Sequence, residues 1–259
     1  MSYETIIYEK EEGITTITLN RARQLNAINP KLRDELIEAL RHASDDFDAR
    51  VVIITGGDKV FCVGADIKEL PTPSRLWDKV SPKRTYSYYH LIEDMGKPVI
   101  AAIAGYCMGG GLELAMTCDL RIAADNATFS DAHSRIGVIG GAGSTQRLPR
   151  LVGIAKAKEL VFTGDPIDAQ EAYRIGLVNR VVPTESLMQE TKKLANVLKE
   201  RSPLVLKLAK ACINDSMEMG LGQGLDYEAK CATVVSLTED YKEGLRAFVE
   251  KRKPIFKGE

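Results

Sequence analysis

Short apolar runs separated by helical stretches constrain the fold of this 259-residue chain more than any other feature. Three of them, 51–54, 98–104 and 120–124, contain at most one polar residue each. Strands of this kind are covered on both faces, and strands that alternate with helices form parallel sheets. Two further runs, 5–8 and 14–19, flank a turn and predict an antiparallel hairpin at the start of the fold. The sequence therefore predicts an α/β fold.

Helical periodicity dominates the rest of the chain. After Asn29-Pro30, apolar residues spaced by three and four predict a helix that ends at about Phe47. Beyond Gly141 the pattern is helical almost throughout, with one predicted strand at 177–182. The predicted helices there are 145–151, 155–162, 169–175, 185–199, 204–217 and two more after Gly224. The last third is therefore expected to be a helix-rich addition to the sheet.

Charge and composition argue against several classes of protein. The chain has 35 Lys and Arg against 36 Asp and Glu, so it lacks the basic excess with which proteins bind nucleic acids. The sequence shows neither a signal segment nor an apolar run of the ~18 residues that a membrane helix needs, and we expect a cytoplasmic protein. The odd number of cysteines, without a C-x-x-C pair, predicts free thiols and no metal site. The cysteines are Cys62, Cys107, Cys118, Cys212 and Cys231.

Two glycine-containing segments, 61–70 and 105–116, follow predicted strands. Ligands of α/β proteins usually bind at this carboxyl edge of the sheet. Neither segment has the spacing of a dinucleotide or P-loop fingerprint. The triplet Gly109-Gly110-Gly111 can present bare N–H groups to a developing negative charge, as an oxyanion hole does, but it can equally serve close helix packing.

Two titratable residues lie near these segments. Glu113 falls in the first turn of a predicted helix, where a carboxylate complements the helix dipole or, beside an oxyanion hole, moves a proton. His133 titrates near neutral pH and is either a second proton carrier or a partly exposed loop histidine. From these residues alone both alternatives stay open.

Six segments, taken in order, make the whole chain resemble the crotonase family, the enoyl-CoA hydratase/isomerase superfamily. The segments are Asn20-Arg21 with Leu25-Asn26-Ala27, 61–70, 98–119, 140–153, 162–178 and 248–253. The resemblance implies a core of repeated ββα units that spiral, followed by a helical trimerisation region, in a homotrimer or a dimer of trimers. The implied boundaries are 1–195 for the core with the acyl-CoA site and 196–259 for the trimerisation region.

The resemblance also implies roles for individual residues. The backbone N–H groups of Ala65 and Gly110 would hold the thioester carbonyl of an acyl-CoA, and Glu113 would activate the water that adds to its double bond. The coenzyme A thioester is then the substrate, and no separate cofactor and no metal are expected. Phe248 and Lys251 match positions that contact the coenzyme A of an adjacent subunit. The full set of implied substrate and coenzyme A contacts is Arg23, Gln24, Ala27, Gly64, Ala65, Asp66, Ile67, Gly109, Gly110, Phe248 and Lys251.

One departure from the family pattern concerns the chemistry directly. His133 stands where the family's hydratases have their second catalytic glutamate. It can itself donate the proton to the α-carbon, which gives a hydratase or dehydratase, our first interpretation. Alternatively, Glu113 alone shuttles a proton in a double-bond isomerase, or Asp131 becomes the missing acid. The site can also be redirected to thioester hydrolysis, or the chain can be an acyl-CoA-binding protein without catalysis.

Further departures concern binding. Ala22 and Gln24 stand where many relatives have proline and lysine, and Arg21 and Arg23 are candidates to replace the missing phosphate contact. The proline-containing segment 70–84 matches the family's most variable part. With four aromatic residues in or near it, the acyl pocket is expected to be partly aromatic, unless the tyrosines form one face of a packed helix. The four residues are Trp77, Tyr86, Tyr88 and Tyr89.

Overall fold

A computed structural model describes residues 3–69 and 87–259 and contains two sheets. The large sheet has the order β1-β2-β3-β5-β7-β10, with β1 antiparallel to β2 and the other neighbours parallel. Its strands are β1 (Ile6–Glu11), β2 (Ile14–Leu19), β3 (Val51–Thr55), β5 (Val99–Ile103), β7 (Leu120–Ala124) and β10 (Arg180–Val182). The predicted hairpin and the predicted parallel sheet are thus confirmed.

The small sheet has four very short strands in the order β4-β6-β8-β9. They are β4 (Val60–Cys62), β6 (Tyr106–Met108), β8 (Thr128–Ser130) and β9 (Ile167–Asp168). The pairs β3–β4, β5–β6 and β7–β8 each give their first strand to the large sheet and their second to the small one. This repetition agrees with the expected ββα units. Sequence patterning missed the small sheet because strands of two or three residues are too short to show a period.

The helices lie around and after the sheets. They are α1 (Pro30–Asp45), α2 (Tyr88–Asp94), α3 (Gly110–Thr117), α4 (Ser144–Val152), α5 (Ile154–Thr163), α6 (Ala169–Arg174), α7 (Leu187–Lys199), α8 (Pro203–Asp215), α9 (Leu221–Ser236) and α10 (Glu239–Glu250). The helix-rich last third is confirmed. The prediction for α9 was wrong at its start, because the helix begins before Gly224 and continues through it. A glycine inside a helix costs only ~1 kcal/mol.

The central strands of the large sheet are buried on both faces. Because successive side chains of a strand point to opposite faces, Val52 and Ile54 join a core cluster with leucines of α1, whereas Val51 and Ile53 join a second cluster with residues of α7. This burial on both sides explains the continuous apolar runs of the sequence. The strand predicted at 177–182 is shorter, since pairing with β7 covers only Arg180–Val182.

Three remaining predictions concern cysteines, membranes and chain organisation. All five cysteines are free thiols, and three of them are buried. No helix in the described ranges is long and apolar enough to cross a membrane. The division at residue 195 stays a prediction. The irregular segment predicted from Leu70 onward lies outside the described residues, as do Trp77 and Tyr86.

Candidate active site

Two backbone segments meet at the carboxyl ends of β4 and β6, and both contain glycine. A Cβ atom added to Gly64 would lie 2.7 Å from the backbone nitrogen of Gly110, and one added to Gly110 would lie 3.3 Å from the Cα atom of Gly64. Gly64 also has a φ angle of 93°, in the region that side chains disfavour. Only glycine therefore allows the two segments to approach this closely.

The approach of these segments leaves two backbone donors free. Neither the N–H of Ala65 nor that of Gly110 donates to an acceptor within residues 3–69 and 87–259. Ala65 is exposed and Gly110 is partly exposed. Two unpaired N–H groups, one of them in the first turn of α3, form the type of site that binds a partly negative oxygen.

Glu113 lies one helical turn further along α3 and is buried, with 3% of its surface exposed. Its Oε1 atom accepts hydrogen bonds from the N–H groups of Ala142 (2.8 Å) and Ser144 (3.1 Å). Burial raises the pKa of Glu113, and these two hydrogen bonds oppose that rise. No donor to its Oε2 atom is found in the described parts of the chain. Glu113 thus has one anchored oxygen and one oxygen available for a proton.

The loop that anchors Glu113 is itself held by Arg147 of α4. The Arg147 guanidinium donates to the backbone oxygen of Ala142 and to the carboxylate of Glu93, both at 2.6 Å. Sequence analysis did not single out Ala142, Ser144 or Arg147 as site residues. No local signal distinguishes them, because their contribution depends on backbone groups that approach Glu113 from 29 or more residues away.

His133 lies in a turn, partly exposed, and its side chain is beside Glu113. Its Nε2 atom is 3.9 Å from Oε2 of Glu113, and its Nδ1 atom is 2.6 Å from Oδ1 of Asp131. The hydrogen bond with Asp131 raises the pKa of His133; burial acts in the opposite direction, and the charges of Asp131 and Glu113 raise the pKa further. Glu113 and His133 therefore face each other closely enough that one water molecule or reacting atom lying beside them can contact both.

A turn at residues 21–28 borders the Gly64–Ala65 segment and carries several of the residues predicted to contact coenzyme A. Three hydrogen bonds from the Asn26 side chain to backbone oxygens around β4 fix this turn. Arg23 and Gln24 are exposed on it. Arg21 instead binds Asp66 at 3.1 Å, so Arg23 is the better placed of the two arginines to meet a phosphate.

The remaining predicted contacts divide into two groups. Ala27 is buried, whereas Ile67 is 66% exposed beside the Gly64–Ala65 segment. Phe248 and Lys251 lie at the end of α10, and Phe248 is 84% exposed. Among the described residues, no hydrogen bond or ion pair joins Phe248 or Lys251 to Glu113 or His133. Their expected contact with the coenzyme A of an adjacent subunit stays a prediction.

The tyrosines at the start of α2 fit the packed-helix alternative. Tyr88 is 5% exposed, and Tyr89 packs against the same core cluster. The Tyr88 hydroxyl donates to that of Tyr89 at 2.8 Å. Burial raises the pKa of both phenols. An aromatic acyl pocket stays a prediction.

The site thus contains two free backbone donors, a buried carboxylate and a histidine. No cluster of metal-binding side chains is present in the described residues. A comparison with protein families matches residues 9–259 to the family described as enoyl-CoA hydratase/isomerase. The chain belongs to the enoyl-CoA hydratase/isomerase family. The predicted resemblance and the predicted fold class are therefore confirmed.

Individual members of this family are similar to the chain over nearly its full length. It is 44% identical to crotonyl-CoA hydratase of Syntrophomonas wolfei, covering 99% of both proteins. It is also 44% identical to a mitochondrial enoyl-CoA hydratase of Pongo abelii, over 99% of this chain and 89% of the relative. The crystal structure of enoyl-CoA hydratase from Bacillus anthracis superposes with a TM-score of 0.93, at 41% identity, over 99% of this chain and 100% of that chain.

Proposed function

We propose that this member of the family is an enoyl-CoA hydratase, which adds water across the α,β double bond of an acyl-CoA thioester or removes it in reverse. The observation that carries the proposal is the position of Glu113. Its free Oε2 atom faces His133, and its helix begins at one of the two unpaired N–H groups. Relatives named as hydratases at 44% identity support the same reaction.

The thioester is activated through its carbonyl oxygen. When water attacks the β-carbon, electrons move through the double bond to this oxygen, giving an enolate. The N–H groups of Ala65 and Gly110 stabilise the negative charge that develops there. Such donors are worth about 2.7–4 kcal/mol each where one has been removed from a comparable site.

Glu113 and His133 move the protons. The carboxylate of Glu113 takes a proton from the attacking water, and the imidazolium of His133 gives one to the α-carbon. The substrate has then gained one water, while Glu113 is protonated and His133 is neutral. Transfer of the proton from Oε2 of Glu113 to Nε2 of His133, across 3.9 Å through a water molecule, restores the starting state. No metal and no separate cofactor enters these steps.

Binding of coenzyme A extends the proposal beyond the reacting atoms. Arg23, Gln24, Asp66 and Ile67 would contact the nucleotide and pantetheine, and Phe248 and Lys251 of an adjacent subunit would complete the site. A homotrimer or a dimer of trimers fits this requirement. A cytoplasmic location stays a prediction, and one of the relatives is named mitochondrial.

The test is incubation of the purified protein with short linear, aromatic and cyclic enoyl-CoA thioesters in ¹⁸O-labelled water, followed by mass spectrometry. We expect a product with one added labelled water and with coenzyme A retained. A parallel incubation in deuterated water detects isomerisation as isotope exchange without addition. Isomerisation, release of free coenzyme A, or no reaction with any thioester would each overturn the hydratase assignment.

A further inference from the structure

The segment that carries His133 contains a second buried acid, Asp131, to which the proposed reaction assigns no task. Asp131 follows β8 directly and is 1% exposed. Its Oδ1 atom lies 2.6 Å from Nδ1 of His133 and accepts a hydrogen bond from the backbone N–H of His133 at 3.4 Å. Its Oδ2 atom is buried without a hydrogen-bond partner in the described residues. The imidazole is thus the one side-chain donor that Asp131 has there.

We propose that Asp131 is a positioning residue, which holds the neutral His133 ring in its Nδ1–H tautomer and orients it so that Nε2, which is protonated in the imidazolium, faces Glu113. This inference rests on the proposed function for its catalytic meaning. In this role Asp131 does not itself donate a proton to the substrate, in contrast to the sequence alternative in which it becomes the missing acid. The Asp131 carboxylate lies behind the imidazole, on the side away from Glu113.

The geometry supports this assignment on both sides of the ring. With Nδ1–H bonded to Asp131, Nε2 is the imidazole atom left to face Glu113. Gly109 lies beside this atom, since a Cβ atom added to Gly109 would be in ordinary van der Waals contact with Nε2, at 3.6 Å. Two backbone N–H groups, those of Ile136 and Val138, donate to the carbonyl of His133 and hold its main chain. A rotated imidazole would leave the buried Asp131 carboxylate with only the long hydrogen bond from the backbone N–H of His133, which is unfavourable.

The charges of the cluster fit the same assignment. Within the described ranges, the charged groups that act on the His133 imidazole are Asp131, on its own segment, and Glu113, on α3. With both acids ionised and His133 protonated, the cluster has a net charge of −1. A pair of glutamates that share one proton has the same net charge. Asp131 thus lets a histidine replace a carboxylic acid without adding charge to the buried site.

The direct test measures His133 itself and needs no turnover. The chain has three histidines, His42, His90 and His133, so ¹⁵N NMR of the imidazoles can resolve each one. In the parent protein we expect neutral His133 to carry its proton on Nδ1. Asp131→Asn should shift the titration midpoint of His133 to lower pH and leave His42 and His90 unchanged. An Nε2–H tautomer in the parent, or an unchanged midpoint in Asp131→Asn, overturns the proposal.

Kinetics distinguish positioning from a merely structural role. In the parent, Asp131→Asn should lower kcat and move the alkaline limb of its pH profile to lower pH. In a His133→Glu background the same change should raise kcat or leave it unchanged, because Asp131 would then repel a second carboxylate. Loss of kcat in both backgrounds, with no movement of the limb in the parent, overturns the proposal. If Asp131→Asn does not fold, the tautomer of the parent decides.

Failure of this inference can be separated from failure of the proposed function. If no thioester reacts but the NMR midpoint of His133 falls in Asp131→Asn, the hydratase assignment fails and the positioning of His133 by Asp131 stands. If hydration occurs but neither the NMR midpoint nor the pH profile responds to Asp131, the hydratase stands and this inference fails.

Discussion

Replacement of Glu113 by glutamine tests the centre of the proposed mechanism. The glutamine side chain keeps an oxygen at Oε1, so the N–H groups of Ala142 and Ser144 retain their acceptor. It places an NH₂ group where Oε2 faces His133, and an amide does not accept a proton at neutral pH. Glu113→Gln thus removes the proposed base and preserves the loop that surrounds it.

The expected loss of activity follows from the task that Oε2 would perform. A positioned general base contributes roughly 10²- to 10⁴-fold to a rate, which corresponds to about 2.7–5.4 kcal/mol of transition-state stabilisation. We expect kcat to fall by this factor. KM should change little, because the N–H groups of Ala65 and Gly110 are untouched.

The stability of the folded protein, unlike kcat, should not fall in Glu113→Gln. Burial raises the pKa of Glu113, so its ionised form destabilises the folded state at a pH above both the folded and the unfolded pKa. The neutral amide removes this cost. Glu113→Gln should therefore unfold at the same temperature as the parent or at a higher one near neutral pH, whereas most substitutions of buried residues lower it.

The assay combines steady-state kinetics on the best thioester from the labelled-water panel with thermal unfolding. Glu35→Gln is the matched control, because Glu35 is a second buried carboxylate, 6% exposed, bonded to Thr5 and outside the Glu113–His133 cluster. It should keep its kcat and lose about 1–3 kcal/mol of stability. A Glu113→Gln protein with kcat within fivefold of the parent would refute the base role. A fall in both kcat and melting temperature would make Glu113 a structural residue.

Two further predictions concern packing and pH. A Cβ atom on Gly111 would lie 2.1 Å from the carbonyl oxygen of Cys62, so Gly111→Ala must displace α3 by about 1 Å; we expect kcat to fall about 10²-fold. Gly222→Ala is the control within a helix and should leave kcat unchanged, since nothing lies within 4 Å of its added Cβ. If Gly111→Ala also leaves kcat unchanged, the packing argument is refuted. Burial acts to raise the pKa of Glu35, but hydrogen bonds from Thr5 and Glu4 outweigh it and lower this pKa to about 2. The ionised Glu35 therefore stabilises the folded state fully above the ordinary pKa of glutamate, and this contribution is lost as the pH falls toward about 2. Between pH 6 and pH 3 the free energy of unfolding should fall more in the parent than in Glu35→Gln. Equal losses in the two proteins would contradict this role of Glu35.

The two sheets show which parts of the fold are readable from local patterns. The strands of the large sheet have five or six residues, apart from β10, and strands buried on both faces appear as continuous apolar runs. The small-sheet strands have two or three residues and give no periodic signal. The turn at residues 21–28 also has no local pattern, and only the resemblance to the family indicated it. Its conformation depends on Asn26 bonding to backbone oxygens 30 or more residues away.

The sequence by itself determined the α/β class, the helical last third and the family, because apolar spacing, glycine positions and motif order are properties of neighbouring residues. Glu113 and His133 were recognisable as candidates for the same reason. Only the tertiary structure decided that His133 faces Glu113, that Asp131 lies behind it, and that Ala142 and Ser144 hold one oxygen of the carboxylate. These relations join α3 with the segment that follows β8 and with the residues at the start of α4, and the distances between them depend on how the two sheets pack.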